Sequence, residues 1–213
     1  MPKKKILVFQ HVEHEGLENI EKFFPYQKFE FTRIKFYKNQ KIPENLDVFS
    51  MMIVLGGPMD TWMEKKYPWL INEKKSIKKF VHDLQKPFLG ICLGCQLLGE
   101  ILGAKILKSK VPEIGFYKIN TQKKLNDDRI FKYLPKSFDV FQWHSYEVNG
   151  IKDKDFKVLA SSKTTKVQLF KYKDHAYGMQ FHLEINNNTI ENWFKISSNR
   201  KQLEKFTSNH KTL

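Results

Sequence analysis

The chain has 213 residues, 41% hydrophobic and 28% charged, which is the composition of a globular protein and excludes a disordered or fibrous one. Its formal charge is +14, yet only Arg33, Arg129 and Arg200 among its 37 basic residues are arginine, and the lysines are spread along the whole chain. Such a distribution reads as a solvated lysine-rich face and not as a specific nucleic-acid site, which would lean on the arginine fork. No apolar run approaches the roughly 18 residues of a membrane span. The apolar stretch after Met1 is too short for a secretory signal. These features predict a single domain over residues 1–213, cytoplasmic, with no membrane contact.

Lys5 to Gln10 is a short apolar run of the kind that forms a buried parallel strand. Glu15 to Phe24 carries Leu17, Ile20, Phe23 and Phe24 at helical spacing and stops at Pro25, which predicts a helix feeding a strand over Phe29 to Phe36. Met51 to Leu55 is the next buried strand and runs into Gly56-Gly57-Pro58. Tyr67 to Leu84 reads as one long helix, with Pro68 in its first turn and an apolar stripe from Leu70 to Leu84. Pro87 to Ile91 is a strand leading straight into Cys92, and Gln96 to Leu102 is helical with Gly103 as its stop. Short strands follow at Phe116 to Asn120, Asp139 to Gln142, Phe156 to Ala160, Val167 to Tyr172 and Tyr177 to Gln180. A helix from about Thr189 to Phe206 closes the pattern. Alternating strands and helices followed by a strand-rich half predict an α/β fold: a mostly parallel sheet, helices on both faces and some antiparallel strands. Ligands in such folds sit beyond the carboxyl ends of strands, where Gly56-Gly57 and Cys92 both fall.

Gly90-Ile91-Cys92-Leu93-Gly94 has the form of a nucleophile elbow with cysteine in place of serine. The start of the following helix favours a thiolate through its N–H groups and dipole. A cysteine nucleophile requires a base and a group that orients it. His182 and Glu184, if on a strand, project to the same face and supply both. Gly57 after its strand and Leu93 after the nucleophile offer backbone N–H groups to a developing oxyanion. Gly56-Gly57-Pro58 lacks the spacing of a phosphate-binding loop.

Taken in order, Leu55-Gly56-Gly57-Pro58-Met59, Lys66-Tyr67-Pro68-Trp69-Leu70, Gly90 to Gln96, Glu113-Ile114-Gly115, Trp143-His144 and Gln180 to Glu184 resemble the class I glutamine amidotransferases, in particular stand-alone domains similar to the one in GMP synthase. The resemblance implies a flavodoxin-like fold, Cys92 as nucleophile, His182 as base and later acid, and Glu184 as its orienter. It places the oxyanion donors on Gly57 and Leu93, a substrate-amide contact on Gln96, and the grip on the glutamyl α groups around His144, Ser145 and Tyr146. Many relatives have His-Gly-Asp where this chain has His144-Ser145-Tyr146, a departure at the α-group end of the pocket. The implied reaction is hydrolysis of a γ-glutamyl amide through a glutamyl thioester. The alternative is an ammonia-donating glutaminase subunit of a separate synthetase, since the chain has no recognisable ATP-binding loop. No cofactor or metal is implied: His11, His14, His82, His175 and His210 show no ligand spacing. Cys92 and Cys95 form a Cys-x-x-Cys, which raises a redox reading or a reversible disulfide, but that leaves Gly56-Gly57 and the His182-Glu184 pair unexplained. A catalytically idle binding protein would be expected to have lost a member of the triad.

Overall fold

The computed structural model describes residues 2–122, 128–151 and 153–209; Met1 and His210 lie outside them. Nine strands form one mixed sheet in the order β2-β1-β3-β4-β9-β8-β7-β5-β6. Five are parallel to one another: β1 (Lys4–Gln10), β2 (Phe29–Lys35), β3 (Met51–Val54), β4 (Phe88–Ile91) and β9 (Ala176–Met179). Their order is that of a flavodoxin-like doubly wound sheet. Beyond β9 the sheet continues antiparallel through β8 (Leu169–Tyr172), β7 (Phe156–Ser161), β5 (Lys105–Thr121) and β6 (Ser137–Asn149).

Alternation along β1 sends Leu7 and Phe9 to one face and Ile6 and Val8 to the other. The first face is covered by α1 (Trp69–Lys78) and α2 (Leu93–Ile101), whose Leu70, Ile77, Leu97 and Leu98 are wholly buried. Each such side chain contributes about 1.5–3 kcal/mol of apolar burial. The second face meets Leu17, Ile20, Phe24 and Phe181. The cores on the two faces explain why the central strands are continuously apolar and not alternating.

Four sequence expectations need correction. The segment expected as a helix over Glu15 to Phe24 is a short 3-10 helix, Glu18–Phe23. Between Gly16 and Pro25 there is too little chain for a self-supporting α-helix, and the Asn19 N–H is spent on the carbonyl of Glu184 at 2.8 Å. The long helix over Tyr67 to Leu84 is α1 followed by a π-helical stretch, Lys79–Asp83, which turns both Phe80 and Val81 into the core. The strands expected at Phe116 to Asn120 and Asp139 to Gln142 are the middles of much longer ones. A polar, lysine-rich β5 with Pro112 hides its own extent because most of its pairing is with β6 alone. Lastly, the closing helix is two: α3 (Asn187–Lys195), capped by Asn186 and Thr189, and α4 (Ser197–Asn209). The chain breaks at Ile196, which is extended, before Ser197-Ser198-Asn199, residues that favour helix caps over interiors. Among the described residues no helix is long and apolar enough to cross a membrane.

Candidate active site

Because β1, β3, β4 and β9 are parallel, the segments leaving their carboxyl ends emerge along one edge. These segments carry His11 to Glu15, Gly56-Gly57, Cys92 and Gln180 to Glu184, so residues far apart in sequence meet there. Cys92 links β4 directly to α2, at φ 49° and ψ −103°, a positive-φ conformation outside the regular allowed regions that the sharp turn imposes. The two flanking glycines make that turn fit. A Cβ on Gly90 would run into the carbonyl of Gly94, and a Cβ on Gly94 into the carbonyl of Val54 in β3. Helix α2 therefore begins one residue after the cysteine, earlier than the sequence pattern suggested.

His182 and Glu184 lie just past β9 and not on it. They share a face through a different device: the His182 N–H donates to the carbonyl of Phe141 at 2.9 Å, an isolated bridge to β6. The His182 Nδ1 is 2.6 Å from Glu184 Oε1, and the ring and Cys92 converge on Gly56, where a Cβ would lie 3.3 Å from His182 Cε1 and 3.5 Å from Cys92 Cβ. The pair is buried, with the ring edge-on to Trp193 at 5.0 Å. Burial by itself pushes the imidazole pKa down, but Glu184 and the neighbouring Cys92 outweigh it and hold it well above the ordinary histidine value. The arrangement favours an imidazolium beside the sulfur. The Gln180 amide also donates toward Cys92 Sγ at 3.8 Å.

A cavity of about 290 Å³ opens over Cys92 and is lined by each residue expected to act in catalysis or substrate binding except Glu184, which stands behind His182. Its size is near the lower end of the roughly 300–1,000 Å³ typical of ligand pockets, which suits a small molecule. Gly57 and Leu93 line it side by side, and Leu93 is the first residue of α2, whose N–H has no partner within the helix. Gln96 uses its Nε2 hydrogens on the carbonyl of Tyr146 at 3.1 Å and on Gln180 Oε1 at 3.2 Å, which leaves its own oxygen as the group available to a ligand. His144, Ser145 and Tyr146 form the opposite wall as part of β6. The Tyr146 carbonyl there is already engaged by Gln96 and by His144 Nδ1 at 3.0 Å. His144 Nε2 is held by Glu113 at 2.9 Å, and Glu113 also accepts from Gln168, Ser162 and Thr164.

Sequence reasoning missed several wall residues. Glu15 reaches in from the segment after β1, so close to Gly56 that a Cβ there would strike its carboxylate. Burial raises its pKa to about 7, although His182 and His11 pull it down. Its position after a parallel strand was the available signal. Gln202 and Asn199 come from α4, which folds back over the cavity: Trp143 Nε1 donates to Gln202 Oε1 at 2.9 Å, and Gln202 Nε2 to Ser145 Oγ at 3.3 Å. Nothing in the sequence announced that return. Cys92 and Cys95 are both free thiols, and Cys95 belongs to the core on the α1 and α2 face. Among the described residues no group of three or more His, Cys, Asp or Glu is arranged to hold a metal.

The family profile of class I glutamine amidotransferases matches residues 17–194. The chain belongs to that family. It is 33% identical over 147 residues to a glutamine-hydrolyzing GMP synthase subunit of Sulfurisphaera tokodaii, covering 68% of this chain and 73% of the relative. It is 28% identical over 192 residues to the putative glutamine amidotransferase-like protein YfeJ of Salmonella typhimurium, covering 84% of this chain and 77% of that one. The crystal structure of a glutamine amidotransferase from Thermotoga maritima superposes with a TM-score of 0.85 at 32% identity, over 96% of this chain and 86% of the other. In this amidotransferase the parallel half of the sheet presents the cysteine, and the antiparallel extension supplies the far wall of the cavity through β6.

Proposed function

We propose that this amidotransferase hydrolyses the γ-carboxamide of glutamine or a related γ-glutamyl compound. The observation that carries the reading is the grouping of Glu184, His182 and Cys92, with Glu184 2.6 Å from His182 Nδ1 and both His182 and Cys92 on the wall of a cavity also lined by Gly57 and Leu93. The Cys92 thiolate attacks the γ-carbonyl carbon, and the N–H groups of Gly57 and Leu93 take the charge that forms on oxygen. His182, held as imidazolium by Glu184, gives its Nε2 proton to the departing ammonia or amine, leaving a glutamyl thioester on Cys92. Neutral His182 then takes a proton from water, whose attack on the thioester releases glutamate and restores the thiolate. The free Gln96 oxygen suits the N–H of the scissile amide. The His144 to Tyr146 strand faces the α-amino and α-carboxylate end.

The GMP synthase relatives favour a second reading, in which the ammonia is donated to a separate synthetase protein. One experiment tests both. Glutamate release by the purified, reduced protein is measured with glutamine and a panel of γ-glutamyl amides and peptides, with Cys92→Ala as control, by itself and with the synthetase partner of a two-protein GMP synthase from the same source. Cys92-dependent release by the protein by itself supports a free-standing hydrolase. Release only in the presence of the partner supports the ammonia donor, and silence under both conditions refutes hydrolysis.

A further inference from the structure

Behind the Gly56-Gly57 turn lies a buried ion pair that the reaction just described does not use. His11, immediately after β1, and Glu73, on α1, have wholly buried side chains. His11 Nδ1 is 2.7 Å from the carbonyl oxygen of Gly56, and Nε2 is 2.9 Å from Glu73 Oε1. A peptide carbonyl only accepts, so Nδ1 carries a hydrogen; with Glu73 ionised its carboxylate also only accepts, and Nε2 then carries one too. The ring is thus an imidazolium, and it stacks on Phe36 at 5.7 Å and Trp69 at 5.5 Å, faces that suit a cation. The other Glu73 oxygen has no partner among the described residues, so His11 receives its charge. Burial works against the charged ring, but Glu73 and the Gly56 carbonyl more than offset it and raise its pKa.

The oxygen of Gly56 and the nitrogen of Gly57 belong to one peptide group. Electron density drawn toward the oxygen is drawn through the resonant C–N bond from the nitrogen, which makes the Gly57 N–H a stronger donor. We propose that His11 and Glu73 are positioning residues for the oxyanion site: a buried charge relay in which Glu73 holds His11 protonated, and His11 orients and polarises the peptide whose N–H takes the oxyanion. His11 packs directly behind that peptide, since a Cβ on Gly57 would lie 2.9 Å from His11 Cβ. The proposal rests on the hydrolytic reading in assigning the Gly57 N–H to the oxyanion.

Glu73→Gln separates polarisation from mere pinning. The glutamine amide donates to Nε2 and leaves the Nδ1 hydrogen on the Gly56 carbonyl, so the geometry stays and the charge goes. Removing a whole oxyanion donor costs about 100- to 1,000-fold in kcat; weakening one in place should cost about tenfold, with KM within about twofold. Alkylation of Cys92 by iodoacetamide builds no oxyanion and should proceed at the wild-type rate. In the wild type, nitrogen NMR of the histidine rings should show both His11 nitrogens protonated across the neutral range, and the Gly57 amide proton should move upfield in Glu73→Gln. An unchanged kcat, a His11 ring with one bare nitrogen, an unmoved Gly57 proton, or an equal loss of turnover and alkylation would each overturn the relay. If the wild type is alkylated at Cys92 but turns over no γ-glutamyl amide, the hydrolytic reading fails instead, and the two NMR signals alone decide whether the peptide is polarised.

Discussion

Glu113→Gln removes a charge without removing volume, at a carboxylate on which four donors converge. Glu113 Oε1 accepts from Ser162 and Thr164, Oε2 accepts from His144 and Gln168, and the residue is wholly buried. A glutamine can keep its oxygen toward His144 and Gln168 only by turning its NH₂ toward the two hydroxyls, which must then rotate to accept. Every surviving bond loses its charge assistance, worth about 1.5–3 kcal/mol each against about 1 for neutral bonds. Complete loss of one partner of a buried pair costs about 3–5 kcal/mol, so a variant that keeps most of the geometry is expected to lose about 2–4 kcal/mol. Urea unfolding at neutral pH measures it. Burial works to raise the Glu113 pKa, but the bonds from His144, Ser162 and Thr164 prevail and hold it below the usual 4.5. The stability that the ionised group supplies is therefore present above that value and lost as pH falls through the lower folded-state value, so the gap between wild type and variant should narrow on acidification. A variant within about 0.5 kcal/mol of wild type, the ordinary range for surface changes, would refute the view that this carboxylate organises the β6 wall.

Three further outcomes follow from the geometry. Glu15→Gln tests the buried carboxyl beside Gly56: between the usual 4.5 and its folded value of about 7 the folded state binds more protons than the unfolded chain, so wild-type stability should fall across that window and the variant's should not. With the side chain 15% exposed, the variant's relative gain above pH 7 should be about 1–3 kcal/mol by denaturant titration at two pH values, and parallel curves would count against the raised value. Gly94→Ala forces a Cβ against the Val54 carbonyl; α2 must draw back, with an expected loss of about 1–3 kcal/mol in thermal unfolding and most of the turnover, whereas wild-type behaviour would show the elbow to be less tightly packed than described. Cys95→Ala should keep turnover and lose about 1 kcal/mol, and the native wild type should show only one rapidly titrating thiol, since burial and the neighbouring Cys92 push the Cys95 thiol well above its usual value; two rapid thiols would revive a redox role.

Chemistry that depends on local turns was readable from the chain alone. Gly90 and Gly94 around Cys92 announce a strand-to-helix elbow because only glycine lets those backbones approach, and the apolar runs of β1, β3 and β4 announce parallel strands because both their faces are buried. His182 and Glu184 were recognisable as a pair, although the reason given, alternation on a strand, was not the one the molecule uses. Glu15, with its position after β1, was within reach of the same reasoning.

The remainder is a matter of distance through space. His11 has no local signature, and neither does Glu73, which looks like an ordinary acidic residue on a lysine-rich helix until α1 packs against the sheet. Glu113 finds its donors on β6, on the loop after β7 and just before β8, and α4 reaches the cavity only because the chain breaks at Ile196. Steric and apolar demands within a few residues were enough to announce the elbow at Cys92 and the burial of the strands, whereas His182 and Glu184 were singled out by their company with that elbow and by the family resemblance. Packing in three dimensions selects which carboxylates stand behind which histidines and what closes the cavity, because a buried charge is stabilised by whatever partner the fold brings within about 3 Å, and the spacing along the chain does not encode that partner.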